Sequence, residues 1–85
     1  MASITTLTIV VGDRKNASKE VNEILSDYGD EIIARMGIPI KDKNISLITV
    51  IMKSASGESA DAISMELSRI DCVKVNMVRE IIENL

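Results

Sequence analysis

Gly12-Asp13-Arg14-Lys15-Asn16 follows a run of β-branched residues and carries groups well suited to holding a small ligand. A glycine lets the backbone come close to a bound molecule. If a helix begins just beyond it, the first N–H groups have no intrahelical partner and favour an anionic group such as a carboxylate. Arg14, Lys15 and Asn16 add charge and hydrogen-bond donors, and Asp13 is placed to receive an ammonium group. Arg35, in a later strand-like run, is a second candidate, supplied by the edge strand of a neighbouring copy. The candidate ligand set is thus Gly12, Asp13, Arg14, Asn16 and Arg35. The plainer reading is a solvated turn and one surface arginine.

Catalysis finds little support. The chain has no histidine, which removes the commonest general base and the commonest metal ligand. Its single cysteine, Cys72, can form no intrachain disulfide and reads as a buried apolar residue. Paired cysteines of the kind that hold zinc or heavy metals are absent, so neither a metal nor a cofactor is expected. An arginine with a nearby asparagine after a first strand also serves acylphosphatases, but their glycine-rich phosphate cradle is missing. Net charge is −3, with no basic stripe to neutralise phosphates, and Tyr28 is the only aromatic residue. Direct nucleic-acid binding is therefore not expected, since base stacking needs aromatic side chains on the central strands. The start "MASITTLTIVVGD" lacks a basic region, and no apolar run approaches the ~18 residues of a membrane span. A cytoplasmic protein is expected.

Several elements must position these residues. Ile4 to Val11 alternates and reads as a strand ending at Gly12. A helix follows, capped by Asn16 or Ser18, with its apolar stripe at Val21, Ile24, Leu25 and Tyr28 and Gly29 as a left-handed stop. Glu31 to Ile38 and Ile45 to Lys53 read as strands joined by the polar turn "PIKDKN". After a turn at Ser54 to Gly57, residues 59–70 form a second helix, with Ala60, Ile63, Leu67 and Ile70 on one stripe. Val73 to Val78 is a fourth strand, and Arg79 to Leu85 is a tail that frays, forms a helical turn or adds to a sheet edge. The order βαββαβ, with right-handed crossovers, gives an α+β ferredoxin-like sandwich in one domain of 85 residues: a four-stranded antiparallel sheet with two helices on one face.

In that order the second strand lies at an edge, which suits Pro39, a residue with no N–H to give a ladder. Gly37 before it reads as a bulge or a close backbone approach. Arg35 and Met36 then point to opposite faces. The strands are also too apolar for a sheet with one wet side. Ile45, Leu47 and Ile51 oppose Ile48, Val50 and Met52, and Ile32, Ala34, Met36 and Ile38 are placed together opposite Ile33 and Arg35. A chain this small and aromatic-poor buries only roughly 60–65% of its unfolded surface. Both facts call for a covering partner, and a second copy is the simplest, giving a homo-oligomer, dimer or tetramer.

"VNEILSDYGDEIIARMGIP" (residues 21–39), followed by "ISLITVIM" and "CVKV", resembles the iron-only hydrogenase system regulators, which are small stand-alone bacterial proteins. The resemblance runs from Ile4 to Val75. It implies an ACT-like fold, similar to the ligand-binding domain of nickel-responsive repressors, and a regulatory role in an oligomer. The ribbon-helix-helix segment of those repressors and their His and Cys nickel ligands have no counterpart. The Pro-Gly pair that ACT domains often place after the first strand is replaced by Gly12-Asp13-Arg14. The expectation is a non-enzymatic module sensing a small-molecule ligand or a protein partner, without its own DNA-binding element. The alternative is a non-sensing assembly subunit that docks onto a hydrogenase or maturation protein.

Overall fold

A computed structural model describes residues 2–54 and 57–82. Strand β1 (Ala2–Val11) leads into helix α1 (Arg14–Asp27), and a single 3₁₀ turn at Gly29–Glu31 connects to β2 (Ile32–Ile40). A second such turn, Lys41–Lys43, leads to β3 (Ile45–Ser54), followed by helix α2 (Glu58–Ser68) and β4 (Val73–Ile82). The strands lie in the order β2-β3-β1-β4, every neighbouring pair antiparallel. The βαββαβ order read from the sequence is the observed one, with β2 at an edge.

Strict alternation along β1 and β3 decides where the core lies. Leu7, Ile9 and Val11 of β1 and Ile48, Val50 and Met52 of β3 point to one face and are buried. They pack beneath Ala17, Val21 and Leu25 of α1 and Ala60, Ile63 and Leu67 of α2, the buried stripes of the two helices. Cys72 is half-buried and joins this cluster as an apolar residue. The register of β1 with β3 runs unbroken from Ser3↔Ser54 to Val11↔Ser46, so no side chain changes face along it.

Strand β2 departs from the expected pattern. Ile32 stands opposite Met52, but Ala34 stands opposite Ile51, so Ile33 is an inserted residue, 58% exposed. Such a bulge resets the alternation. Ile32 therefore packs against the core, while Ala34, Met36, Ile38 and Ile40 share the open face with their β3 partners Ile51, Thr49, Leu47 and Ile45. Counting by two from Ile32 placed it with Ala34, Met36 and Ile38, which the bulge corrects. The irregularity is at Ile33 and not at Gly37, which also makes no close approach.

Two terminations differ from the sequence reading for local reasons, and a third takes one of the alternatives that reading left open. Helix α1 starts three residues earlier than an Asn16 cap implies, because Asp13 takes a left-handed conformation (φ 47°), which Asp tolerates. Its carbonyl then accepts the N–H groups of Asn16 and Ala17. At the other end Gly29 does not adopt positive φ. The chain tightens into the 3₁₀ turn, closed by the Glu31 N–H on the Tyr28 carbonyl at 3.0 Å. Strand β4 continues to Ile82, pairing as far as Ala2↔Ile82, so residues 79–82 add to the sheet edge, the last of the three alternatives for the tail, and residues 83–85 lie outside the described residues.

Two side-chain contacts tie the layers together. The Tyr28 hydroxyl donates to Glu66 Oε2 at 2.7 Å, joining the end of α1 to α2. That bond keeps the phenol protonated and raises its pKa above the ordinary tyrosine value. Burial and the charges of Glu66, Asp27 and Glu31 push the same way. On the far side Arg79 of β4 donates to Asp61 at 2.5 Å and to the Gly57 carbonyl at 3.2 Å, fixing the start of α2.

Candidate functional site

The left-handed turn at Asp13 points α1 across the end of the sheet beside Asn44, the other left-handed residue of this corner (φ 53°). Their side chains interlock. Asn16 Nδ2 donates to both carboxylate oxygens of Asp13, at 3.1 and 3.0 Å, and Asn44 Nδ2 donates to Asp13 Oδ1 at 3.2 Å. The Arg14 N–H donates to the Asn44 carbonyl at 2.9 Å, and the Lys15 N–H to Asn44 Oδ1 at 3.2 Å. The first four N–H groups of α1 are therefore already bonded, which removes the expected anion site at the bare helix start. Gly12 is a packing residue here. Its N–H donates to Cys72 O at 2.7 Å, and a Cβ would come within 3.1 Å of that oxygen.

Beside this corner lies a hollow of about 230 Å³ between α1, β2 and the start of β3. Arg14, Ser18, Val21 and Asn22 of α1 line one side, Arg35 and Gly37 of β2 another, and Val11, Ser46 and Ile48 complete it. Arg35 reaches the hollow because the bulge at Ile33 turns it, with Gly37, to the helix face, where it stands opposite Val50. Its Nη2 donates to Asn22 Oδ1. Gly37 leaves the space open, since a Cβ there would have no atom within 4 Å. The Arg14 guanidinium, the Ser46 hydroxyl and the Asn22 amide nitrogen have no hydrogen-bond partner among the described residues. Ser18 Oγ donates back to the Arg14 carbonyl at 2.5 Å, leaving its lone pairs.

Of the five candidates, Arg14 and Arg35 come together at one hollow within a single chain. Asp13 and Asn16 instead satisfy each other and Asn44 beside it, and Gly12 lies behind against Cys72. Asn22 and Ser46 were not singled out from sequence. A signal existed, because Arg14, Ser18 and Asn22 recur at i, i+4 and i+8, a polar line beside the apolar stripe of α1. The arrangement holds donors, positive charge and an apolar wall, and its lining contains two serines but no His, Lys, Asp or Glu to act on them as a general base. No group of three or more His, Cys, Asp or Glu side chains capable of holding a metal occurs among the described residues. No described helix is long and apolar enough to cross a membrane.

A second feature faces away from the helices. Met36 (58% exposed), Ile38 (49%) and Val78 (61%) lie on the open side of the sheet with the half-buried Val10, Leu47 and Ile51. Its charged residues, Lys53, Lys74 and Glu80, stand opposite Ile4 and Val10 near the strand ends.

The four-stranded sheet with both helices on one face is an ACT-like variant of the ferredoxin-like fold. The chain belongs to the TM1266-like family, described as "Iron-only hydrogenase system regulator, putative", which it matches over residues 3–77. It is similar to the uncharacterised protein TM1266 of Thermotoga maritima, at 33% identity and a TM-score of 0.85, over 93% of this chain and 98% of that one. The ACT domain of the GTP pyrophosphokinase of Chlorobium tepidum superposes with a TM-score of 0.72 at 15% identity, covering 91% of this chain and 86% of that domain. A dimeric ferredoxin-like protein from an uncultured marine organism gives 0.55 at 13% identity, with both chains fully covered. No curated protein matches the chain.

Proposed function

We propose that this protein is a non-catalytic regulatory module of the cytoplasm that assembles through its open sheet face and senses a small ligand or a protein partner. The observation that carries this reading is the set of exposed apolar side chains, Met36, Ile38 and Val78, on the sheet face that the helices leave open, beside the threonines Thr6, Thr8 and Thr49. Four strands about 4.8 Å apart and roughly 30 Å long present a face on the order of 500–600 Å². That approaches the ~800 Å² per partner of a standard interface. Its apolar residues gather on β2 and β3, next to a middle row of Thr49, Thr8 and Asn76, and a second copy is the occupant of this uncharged part of the face. The dimeric state of the ferredoxin-like neighbour agrees with that reading.

The hollow at Arg14 and Arg35 is the ligand site of this reading, and membership of a family described as a regulator of an iron-only hydrogenase system supports the process. Regulation then runs through a bound partner, because every described element belongs to the one sheet and its helices. Sedimentation equilibrium at micromolar concentration, with the protein alone and with small ligands, tests this function. A stable monomer that no small molecule perturbs would end it. The apolar face also favours a second reading, an assembly subunit docked onto a hydrogenase or maturation protein. Co-purification of a monomer of this chain with such a partner, without any ligand response, selects that alternative.

A further inference from the structure

Gly37, like Gly29 of the 3₁₀ turn, has no conformational or packing reason to be glycine, and of the two it is Gly37 that lines the hollow. It lies inside an edge strand, its φ is not positive, and nothing approaches the position of a Cβ. Glycine weakens a strand interior and normally marks a bulge or a close approach, neither of which is present. What it does provide is an open floor for the hollow beneath α1.

The chemistry of that hollow is one-sided. Arg14 and Arg35 both line it, and Asn22 holds Arg35 in place while keeping its own amide hydrogens free. The Ser46 hydroxyl adds another donor, and Val11, Val21 and Ile48 form an apolar wall. No Asp or Glu lines the space, and the nearby Asp13 carboxylate is occupied by two asparagine amides. A guanidinium fork suits the planar or tetrahedral oxygens of a carboxylate or phosphate. An ammonium group brought into the same space would face two positive charges with no counter-charge.

We infer that this hollow binds a small molecule through a carboxylate or phosphate group, with a short apolar part against the valine and isoleucine wall and no ammonium group. This deepens the ligand-sensing reading and rests on it. The hollow measures about 230 Å³. It is smaller than the ~300–1,000 Å³ of sites for drug-sized ligands. The ligand is therefore a small metabolite-sized anion and not a zwitterionic amino acid.

The test is a titration of the full chain followed by amide NMR, using isovalerate, inorganic phosphate and valine. Isovalerate and valine differ by one ammonium group. The inference expects shifts centred on the amides of Asn22, Gly37 and Ser46 with isovalerate or phosphate. The anion that saturates at lower concentration identifies the source, and valine binds roughly tenfold or more weakly than isovalerate. Arg14→Ala weakens anion binding by roughly tenfold or more, the usual scale for a charged hydrogen bond. Gly37→Val fills the hollow and abolishes binding while the fold is retained, which its empty surroundings ensure. Valine binding as tightly as isovalerate, or Gly37→Val binding like the parent, overturns the inference. Shifts confined to residues outside the hollow overturn this site and leave the regulatory reading standing. No shift with either anion, together with no response of assembly or stability to any small molecule, overturns both.

Discussion

Ile38→Lys separates folding from assembly, because Ile38 is 49% exposed in the single chain. It sits on edge strand β2 opposite Leu47, on the sheet face away from the helices. A surface substitution at such a site changes the stability of the folded chain by less than ~1 kcal/mol. Association is another matter. Full burial of an isoleucine is worth about 1.5–3 kcal/mol, and about half of that surface is still uncovered, so each copy loses ~1 kcal/mol. A two-fold interface counts the loss twice, giving ~2 kcal/mol before any cost of desolvating the two ammonium groups. The dimer should weaken by at least roughly 30-fold. Sedimentation equilibrium across the micromolar range measures this, with circular dichroism and urea unfolding reporting the fold. A folded Ile38→Lys variant that associates as tightly as the parent would refute assembly through this face.

Other consequences concern the scaffold and the corner that carries the site. Gly57 has φ +79°, and a Cβ there would lie 2.9 Å from Arg79 Nε, so Gly57→Ala forces both backbone strain and displacement of the Arg79 bolt. Left-handed strain of ~1–2 kcal/mol plus a half-exposed ion pair of ~0.5–1 kcal/mol predicts a loss of roughly 2–3 kcal/mol, read as a lower urea midpoint. Asn44→Ala removes the bonds to Asp13 and Lys15 and places alanine at φ 53°, so a loss of ~1–3 kcal/mol is expected by the same measurement, with the β1–α1 amides moving in NMR. Tyr28 is the only aromatic residue, so tyrosinate absorbance reports it alone. Its raised pKa means the Glu66 bond stabilises the fold fully below the unfolded-chain value near ~10 and is lost as pH rises through the folded value. Glu66→Gln should bring the titration back toward that of free tyrosine, and an unchanged titration would show that Glu66 is not the cause.

Much of the fold was legible because periodicity survives wherever one face is buried. Val21, Leu25, Ile63 and Leu67 kept their stripes, and β1 and β3 kept their alternation, as the core demanded. Legibility failed where a single residue changed the count or a backbone choice competed. The bulge at Ile33 leaves no mark in a run as uniformly apolar as "EIIARMGIPI", yet it decides that Arg35 faces the helices. Asp13 and Asn44 adopt left-handed conformations that their types permit but do not dictate. The site was half legible for the same reason. Charge and donors at Arg14 and Arg35 were plain, whereas the filling of the helix start by Asn44 is a contact across 29 residues of sequence. Gly37 was visible, but its role depends on which face of β2 it occupies.

The central claim, that the chain responds to a small anion in the hollow between α1 and β2, is tested most directly by thermal unfolding with and without ligand. Ligand at about 100 times its dissociation constant adds ~2.7 kcal/mol to a site that exists only in the folded state. For a domain of this size each kcal/mol moves the midpoint by about 4–8 °C. The account predicts that saturating isovalerate or phosphate raises the parent's midpoint by on the order of 10 °C or more and leaves that of Gly37→Val unchanged. A parent midpoint that does not move, or an equal rise in Gly37→Val, would contradict it.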